Sequence, residues 1–391
     1  MITSLISPSG DVSAQDDLWH IASSDNSGQT DFKFVFDVFK GANQLVRVKL
    51  YPDVDTGKGY FNAASVVKNE FSFDWFRPLT NTVNCNQFDN SDGNVGLVYQ
   101  IRVGEDLTGT TTLNMASGNV QVYNWTPPLF KRRQNDISAL LYKWFTNRPK
   151  KTKAELTDNI YIPYYSGVGD IYFDYEIYDI NNNQINSDYG IAAANGSAFV
   201  QLNIGATAIN GILGSDEITN AAAYYKIRFK NDDESEYTEW FTVYLDCNPL
   251  YETINLHFIN QYGMFDTARF SKSSKLTMNI ERKNYQRKEY DFKPSVVEYY
   301  DNNNVYKESK INYASKLNWV YQLTMDFPTD EEYQWLAELI SSPQIYAEID
   351  GDFYPVTLTA NNYEYSKNIN NGLRIFQVEI ELNQTRNGFR R

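Results

Sequence analysis

From Asp31 to Phe39 the chain reads DFKFVFDVF. Phe32, Phe34, Phe36 and Val38 recur at every second position, the period of a β-strand and not of a helix. Lys33 and Asp37 take the other face, where Val35 and Phe39 interrupt the polarity. Gly41-Ala-Asn predicts a turn, and Leu45 to Tyr51 returns the chain as a hairpin. Gly96 to Val103 and Gly118 to Tyr123 predict further strands, so residues 18–128 are expected to form an antiparallel sandwich.

The strand period returns over residues 158–248. Ile171 to Ile180, Ser197 to Leu202, Ala223 to Lys230 and Trp240 to Leu245 are strand-like, with Asn181-Asn-Asn, Asn195-Gly196 and Asn210-Gly211 predicting turns. Their spacing suits an immunoglobulin-like or fibronectin-like sandwich. Residues 249–391 differ. Thr329 and Glu332 form a capping box ahead of a helix from Asp330 to about Ile340, expected to bury Tyr333, Leu336, Ala337 and Ile340. Ser341-Ser342-Pro343 stops it, and Asp350-Gly351 predicts a tight hairpin between Ile345–Ile349 and Phe353–Leu358. Arg374 to Leu382 alternates, with Phe376, Val378 and Ile380 on one side and Gln377, Glu379 and Glu381 on the other. The expected class is mainly β: β-sandwich regions at 1–128 and 158–248, a connector at 129–157, and an α+β domain with one helix at 249–391.

The connector stands out by charge. Between Phe130 and Lys153 lie Lys131, Arg132, Arg133, Lys143, Arg148, Lys150, Lys151 and Lys153, against the single acid Asp136. Pro127-Pro128 and Pro149 bracket it, and Ile137, Leu140, Leu141 and Trp144 are spaced for a short helix capped by Asn135 or Asp136. Three readings stand: an arm against an acidic neighbouring subunit, a solvated linker, or a contact with passing DNA. Lys131, Arg132, Arg133, Arg148, Lys150 and Lys151 are the candidate contacts between subunits.

Charge and composition exclude much else. With 49 acidic residues against 35 basic ones, the net charge of −14 repels phosphate backbones. His20 and His257 are the only histidines, which disfavours a multi-histidine metal site or a catalytic triad. Cys85 and Cys247 are expected to be buried small apolar residues, not a disulfide framework, a bridge or a nucleophile. No apolar run is long enough to cross a membrane, and the start lacks the features of a signal peptide, so synthesis in a cytoplasm is expected. Asp53-x-Asp55-x-Gly57 and Asp89-x-Ser91-x-Gly93 resemble the start of calcium loops, but Ala64 and Gln100 stand where a bidentate Glu belongs. Asp179-x-Asn181-x-Asn183 fails similarly, and all three read as turns. Gly57-Lys58-Gly59 lacks the pattern of a phosphate loop. Asp170, Asp174 and Glu176 share a strand face, as a glycosidase pair or as solvated outer residues. No cofactor is expected.

Thirty tyrosines need a role. Tyr161, Tyr164, Tyr165, Tyr172, Tyr175 and Tyr178 suit a protein interface, ordinary strand core, or stacking platforms for sugar. A carbohydrate-binding baseplate or fibre module is therefore an alternative, and a virion-borne glycoside hydrolase a more distant one.

Three segments carry a resemblance: Phe32 to Gly41 with Pro52, Gly57, Gly59 and Phe61; Leu256 to Phe270; and Thr329 to Val356. Together they resemble neck and tail ring proteins of short-tailed, crAss-like and related phages that infect Bacteroidetes. The resemblance implies a non-enzymatic virion protein, assembled in the bacterial cytoplasm as a six- or twelve-fold homo-oligomeric ring around the portal axis. Neighbouring neck and tail proteins would be its partners, with DNA only as passing cargo and no membrane. It also implies a tail-tube-like C-terminal domain, whose residues Gln377, Glu379 and Glu381 would face a lumen through which DNA slides.

Overall fold

A computed structural model describes residues 1–71, 86–88, 95–126, 143–165, 170–194, 199–230, 237–247, 250–298, 308–325, 329–359, 376–383 and 386–387. The protein is mainly β, with three helices among these residues. It divides into two compact units, one of Met1–Asn248, His257–Ala268 and Gln334–Pro343, the other of Pro249–Leu256, Arg269–Tyr333 and Gln344–Arg391.

In the first unit, two sheets enclose an N-terminal core. One has the order Ile2–Ile6, Trp19–Ser24, Gly59–Asn62; the other runs Asp11–Ser13, Val120–Tyr123, Gly96–Leu107, Lys33–Lys40, Asn43–Leu50, with Thr110–Ala116 also paired to Gly96–Leu107. Ile2, Ala22 and Phe61 from the smaller sheet pack with Phe34, Phe36, Val38, Leu97, Ile101 and Val122 from the larger. The expected Phe32 face is the core face, with Phe32 edge-on to Phe34 and Phe36 stacked on Phe61. The opposite face is buried too: Asp37 is 0% exposed and takes both guanidinium bonds of Arg47 at 2.7 and 2.6 Å. A bidentate pair satisfies the carboxylate, so a charged residue can sit in a covered strand.

The second core repeats the two-layer plan. Lys143–Trp144, Tyr161–Tyr165, Phe199–Asn203 and Asn86–Phe88 form one sheet; Lys151–Ala154, Phe241–Leu245, Tyr224–Lys230, Ile171–Tyr178 and Gln184–Ala194 form the other. Trp144, Ile162, Tyr164 and Val200 meet Ile171, Phe173, Ile177, Tyr225, Phe229 and Phe241. Two boundaries drawn from sequence therefore move. The strand Asn86–Phe88 belongs to this second stack although it lies within the expected N-terminal sandwich. The 129–157 segment is no free arm where it is described: Lys143–Trp144 and Lys151–Ala154 are strands of the two sheets, so the expected helix does not extend through Trp144. Residues 127–142, which hold Lys131, Arg132 and Arg133, lie outside the described residues. Asn210-Gly211, expected to turn, lies inside the helix Ala206–Leu213. That helix ends at Gly214 (φ +70°), while Asn210 exchanges two hydrogen bonds with the Ile218 backbone.

In the second unit the strands Ile345–Ile349, Asp352–Leu358, Gln377–Leu382, Lys310–Thr324 and Lys275–Gln286 lie side by side in that order. The Asp350-Gly351 hairpin forms as expected, with φ of 54° and 81° at its two turn residues. So does the capping box of the helix Asp330–Ser341, of which Gln334 onward belongs to the first unit: Thr329 N–H donates to Glu332 at 2.8 Å, and Glu332 N–H to the Thr329 hydroxyl at 3.3 Å. That helix buries Trp335, Leu336 and Leu339 most deeply, so its inner face is turned from the one expected, and Tyr333, Ala337 and Ile340 are only partly covered.

Candidate functional site

The second unit carries an apolar surface that none of its described residues covers. Lys275–Gln286 pairs with Lys310–Thr324 over 12 residue pairs and, among the described residues, ends the sheet as an edge strand. Directly opposed residues share a face, so Leu276/Tyr321, Met278/Trp319 and Ile280/Leu317 form one stripe. That stripe continues the face on which Val378, Ile380 and Leu323 are buried. The apolar layer outruns its cover: Leu276, Met278 and Ile280 are 47, 43 and 39% exposed, and every residue of Lys275–Gln286 is exposed. Beyond the strand ends, Phe292 and Val296 in the small hairpin Asp291–Lys293/Val296–Glu298 are exposed as well.

The opposite face of the same strands is polar. Gln377 and Glu379 are exposed and Glu381 is half-buried, while Phe376, Val378 and Ile380 turn inward, as the alternation predicts. Glu379 stands opposite Gln322 and accepts from its amide at 3.4 Å; Gln377 donates to Thr324 at 3.4 Å. Across the ladder this face also holds Lys275, Glu281 and Lys316. It is therefore of mixed charge and not acidic throughout.

In the first unit Arg148 is interior, contrary to its expected place at a subunit contact. It is 5% exposed, donates to the Thr152 hydroxyl at 2.6 Å, and lies 5.0 Å from the Trp335 ring and 5.7 Å from that of Phe241. Its charge lowers the pKa of Asp266, which burial nevertheless raises. Asp266 accepts from the Thr146 hydroxyl at 2.5 Å and the Trp335 indole at 2.9 Å. Lys150 is half-buried and donates to the Thr146 and Arg148 carbonyls, and burial lowers its pKa. Lys143, Lys151 and Lys153 are exposed.

Beside this cluster the turn at Asn260–Met264 gathers several elements. Asn260 accepts from the Tyr262 and Met264 backbone, and Tyr262 packs on Phe145 and Trp125. Gln261 N–H donates to Glu338 at 2.9 Å, and Asn147 donates to it at 2.7 Å. Burial pushes the Glu338 carboxyl up to about 7. His20 is fully buried between the Ser7 hydroxyl and the Tyr99 hydroxyl, both at 2.9 Å, and burial pushes it down to about 4.

These two shifts act oppositely on stability. His20 binds fewer protons folded than unfolded, so it makes stability rise with pH from about 4 to 6.5. Glu338 keeps its proton longer when folded, so it makes stability fall from pH 4.5 to about 7. Across the overlap they offset each other. Glu338→Gln is expected to remove the larger opposing contribution, so that stability in urea rises more steeply with pH than in the parent protein between about 5 and 6.5. A variant whose pH profile matched that of the parent would refute the assignment.

The other candidate residues serve local structure. Asp174 is buried and paired with Arg228 at 2.8 Å and Lys230 at 3.5 Å, so it is not a solvated outer residue; Asp170 is exposed. Glu176 accepts from the Tyr178 and Tyr189 hydroxyls. Asp53 accepts from Thr56, and Asp179 from Asn181 and Asn183, both closing turns. Asp89 to Gly93, Cys85 and Asn195-Gly196 lie outside the described residues, and Cys247 is exposed, not buried as expected. His257 is buried with its Nδ1 3.0 Å from the Thr267 hydroxyl. Of the six clustered tyrosines, Tyr161, Tyr164, Tyr165 and Tyr175 are buried. Tyr178 instead stacks on Tyr224 at 4.8 Å, and Tyr224 meets Tyr244 at 5.5 Å, so these rings face one another across strands. Among the described residues no three of His, Cys, Asp and Glu gather closely enough to hold a metal ion, and no helix is long and apolar enough to cross a membrane.

The described residues thus define a mainly β protein with an open apolar ribbon. No protein-family model matches the chain, and no curated protein matches it. Among solved structures it is similar to trypsin-activated alpha-2-macroglobulin from Escherichia coli, at 8% identity and a TM-score of 0.20 over 83% of this chain. The match covers 19% of that chain, so this protein spans about a fifth of its length, and so low a score carries no argument.

Proposed function

We propose that this chain is a non-enzymatic virion structural protein, a subunit of a neck or tail ring in a tailed phage. It acts as scaffold and DNA conduit in a homo-oligomeric ring of six or twelve copies, beside other neck and tail proteins. In this reading the two β-stacks are immunoglobulin- or fibronectin-like sandwiches and the C-terminal part is a tail-tube-like domain. The observation that carries it is the ribbon Lys275–Gln286/Lys310–Thr324, whose apolar stripe stays exposed. A contiguous exposed apolar surface is the mark of a face that a partner covers. The phage assignment itself rests on the three resembling segments. Mutual stacking of Tyr178 and Tyr224 favours assembly over the carbohydrate reading, because a sugar platform needs ring faces turned to solvent. The test is the mass and symmetry of the purified full chain, by light scattering and particle averaging. A cyclic ring is the expected result. A monomer at all concentrations, alone and with the other virion proteins, overturns the proposal.

A further inference from the structure

The edge strand has a sequence that complements itself. Its outer edge bonds no other described strand, so its backbone donors and acceptors on that side are open to a second strand. Antiparallel pairing of two copies about a two-fold axis at Met278 sets Met278 against Met278 and Leu276 against Ile280. On the polar face the same register sets Lys275 against Glu281 and Thr277 against Asn279. Each of these off-axis pairs occurs twice by symmetry. Within residues 275–281 every apolar residue meets an apolar one and each charge meets its opposite, while Arg282 and Lys283 face Ser274 and Ser273.

Neighbouring registers lose this match. An axis at Asn279 sets Lys275 against Lys283 and Leu276 against Arg282, and an axis at Thr277 sets Lys275 against Asn279 and Glu281 against Ser273. Pairings about an axis between residues bring the apolar stripe of one copy to the polar face of the other. In its own ladder Glu281 stands opposite Lys316, and a carboxylate has acceptor sites for both lysines.

We infer that two copies of this chain join edge to edge through residues 275–281 in the Met278-centred register. The contact extends the sheet of each copy into the other and continues the stripe of Leu276, Met278 and Ile280 across the axis. A two-fold contact is isologous and does not by itself close a six- or twelve-fold ring. It goes beyond the ring reading, joining a subunit to a facing copy.

Two measurements on the full chain test it. In a Cys85→Ser, Cys247→Ser background, Met278→Cys is expected to give a covalent dimer under mild oxidation, since residues paired on the axis bring their Cβ atoms within disulfide reach. Asn279→Cys alone is expected not to. A mixture of Thr277→Cys and Asn279→Cys chains is expected to cross-link. Separately, Lys275→Glu or Glu281→Lys is expected to weaken the dimer about tenfold in sedimentation, and the double reversal to restore it. No cross-link at Met278, or a double reversal no better than the singles, overturns the inference. Rings without the cross-link would sink this contact alone, and the cross-link without rings would sink the ring reading alone.

Discussion

Replacing Arg148 by alanine is expected to destabilise the protein by about 3–5 kcal/mol, because it leaves the buried Asp266 without a compensating guanidinium charge. Its guanidinium stacks on Trp335 and Phe241 and offsets the charge of the fully buried Asp266. Without it Asp266 keeps its bonds from Thr146 and Trp335 but loses the guanidinium charge that favours its ionised form, and the half-buried Lys150 can restore only part of that. Lys151→Ala, at an exposed position in the same basic run, is expected to change stability by less than about 0.5 kcal/mol. Urea denaturation of the two variants gives the comparison directly. If Arg148→Ala kept full stability and weakened self-association instead, Arg148 would be a contact residue after all.

Gly263→Ala is expected to be nearly as severe, at more than about 3 kcal/mol. Gly263 has φ of +80°, and a Cβ there would lie 2.4 Å from the Asn124 carbonyl oxygen. Neither side yields easily. Asn124 N–H is bonded to the Val95 carbonyl, and Thr126 N–H to the Gln261 carbonyl, so both backbones are held where they meet. Gly351 is the control: its φ is +81°, but a Cβ there meets open space, so Gly351→Ala is expected to lose only about 1 kcal/mol. Thermal melts that shift equally for both variants would show that the close approach at Asn124 is without effect.

What could be read from the sequence is what depends on near neighbours. Thr329 and Glu332 are three residues apart and cap each other, and Asp350-Gly351 makes its turn from its own backbone preference. The alternation at Phe376 to Glu381 likewise places each side chain by strand geometry alone. Arg148 and Asp174 escaped because their burial is set by residues far along the chain. Asp266 and Trp335 decide the first, and Arg228 and Lys230 the second. A basic run and an acidic strand face look solvated until those partners are known. The open ribbon was missed for a related reason. Leu276, Met278 and Ile280 alternate like any half-buried strand, and only the sheet order reveals that nothing among the described residues covers them. The segment Leu256 to Phe270, which carries part of the phage resemblance, proves to hold a turn on which Trp125, Phe145 and Glu338 converge. Its unusual residues answer to packing.

The strand Asn86–Phe88 finds its partner in Phe199–Asn203, about 110 residues later. At elongation rates of about 5–20 residues per second, the earlier strand waits roughly 6–22 s before its partner is even synthesised. The N-terminal stack can close in that interval, but the second one cannot. A nascent chain paused between the two would expose the unpaired segment to chaperones and to other nascent chains on the same message. Slow codons placed between residues 88 and 199 are therefore expected to lower the soluble yield, whereas the same codons after residue 247 are not.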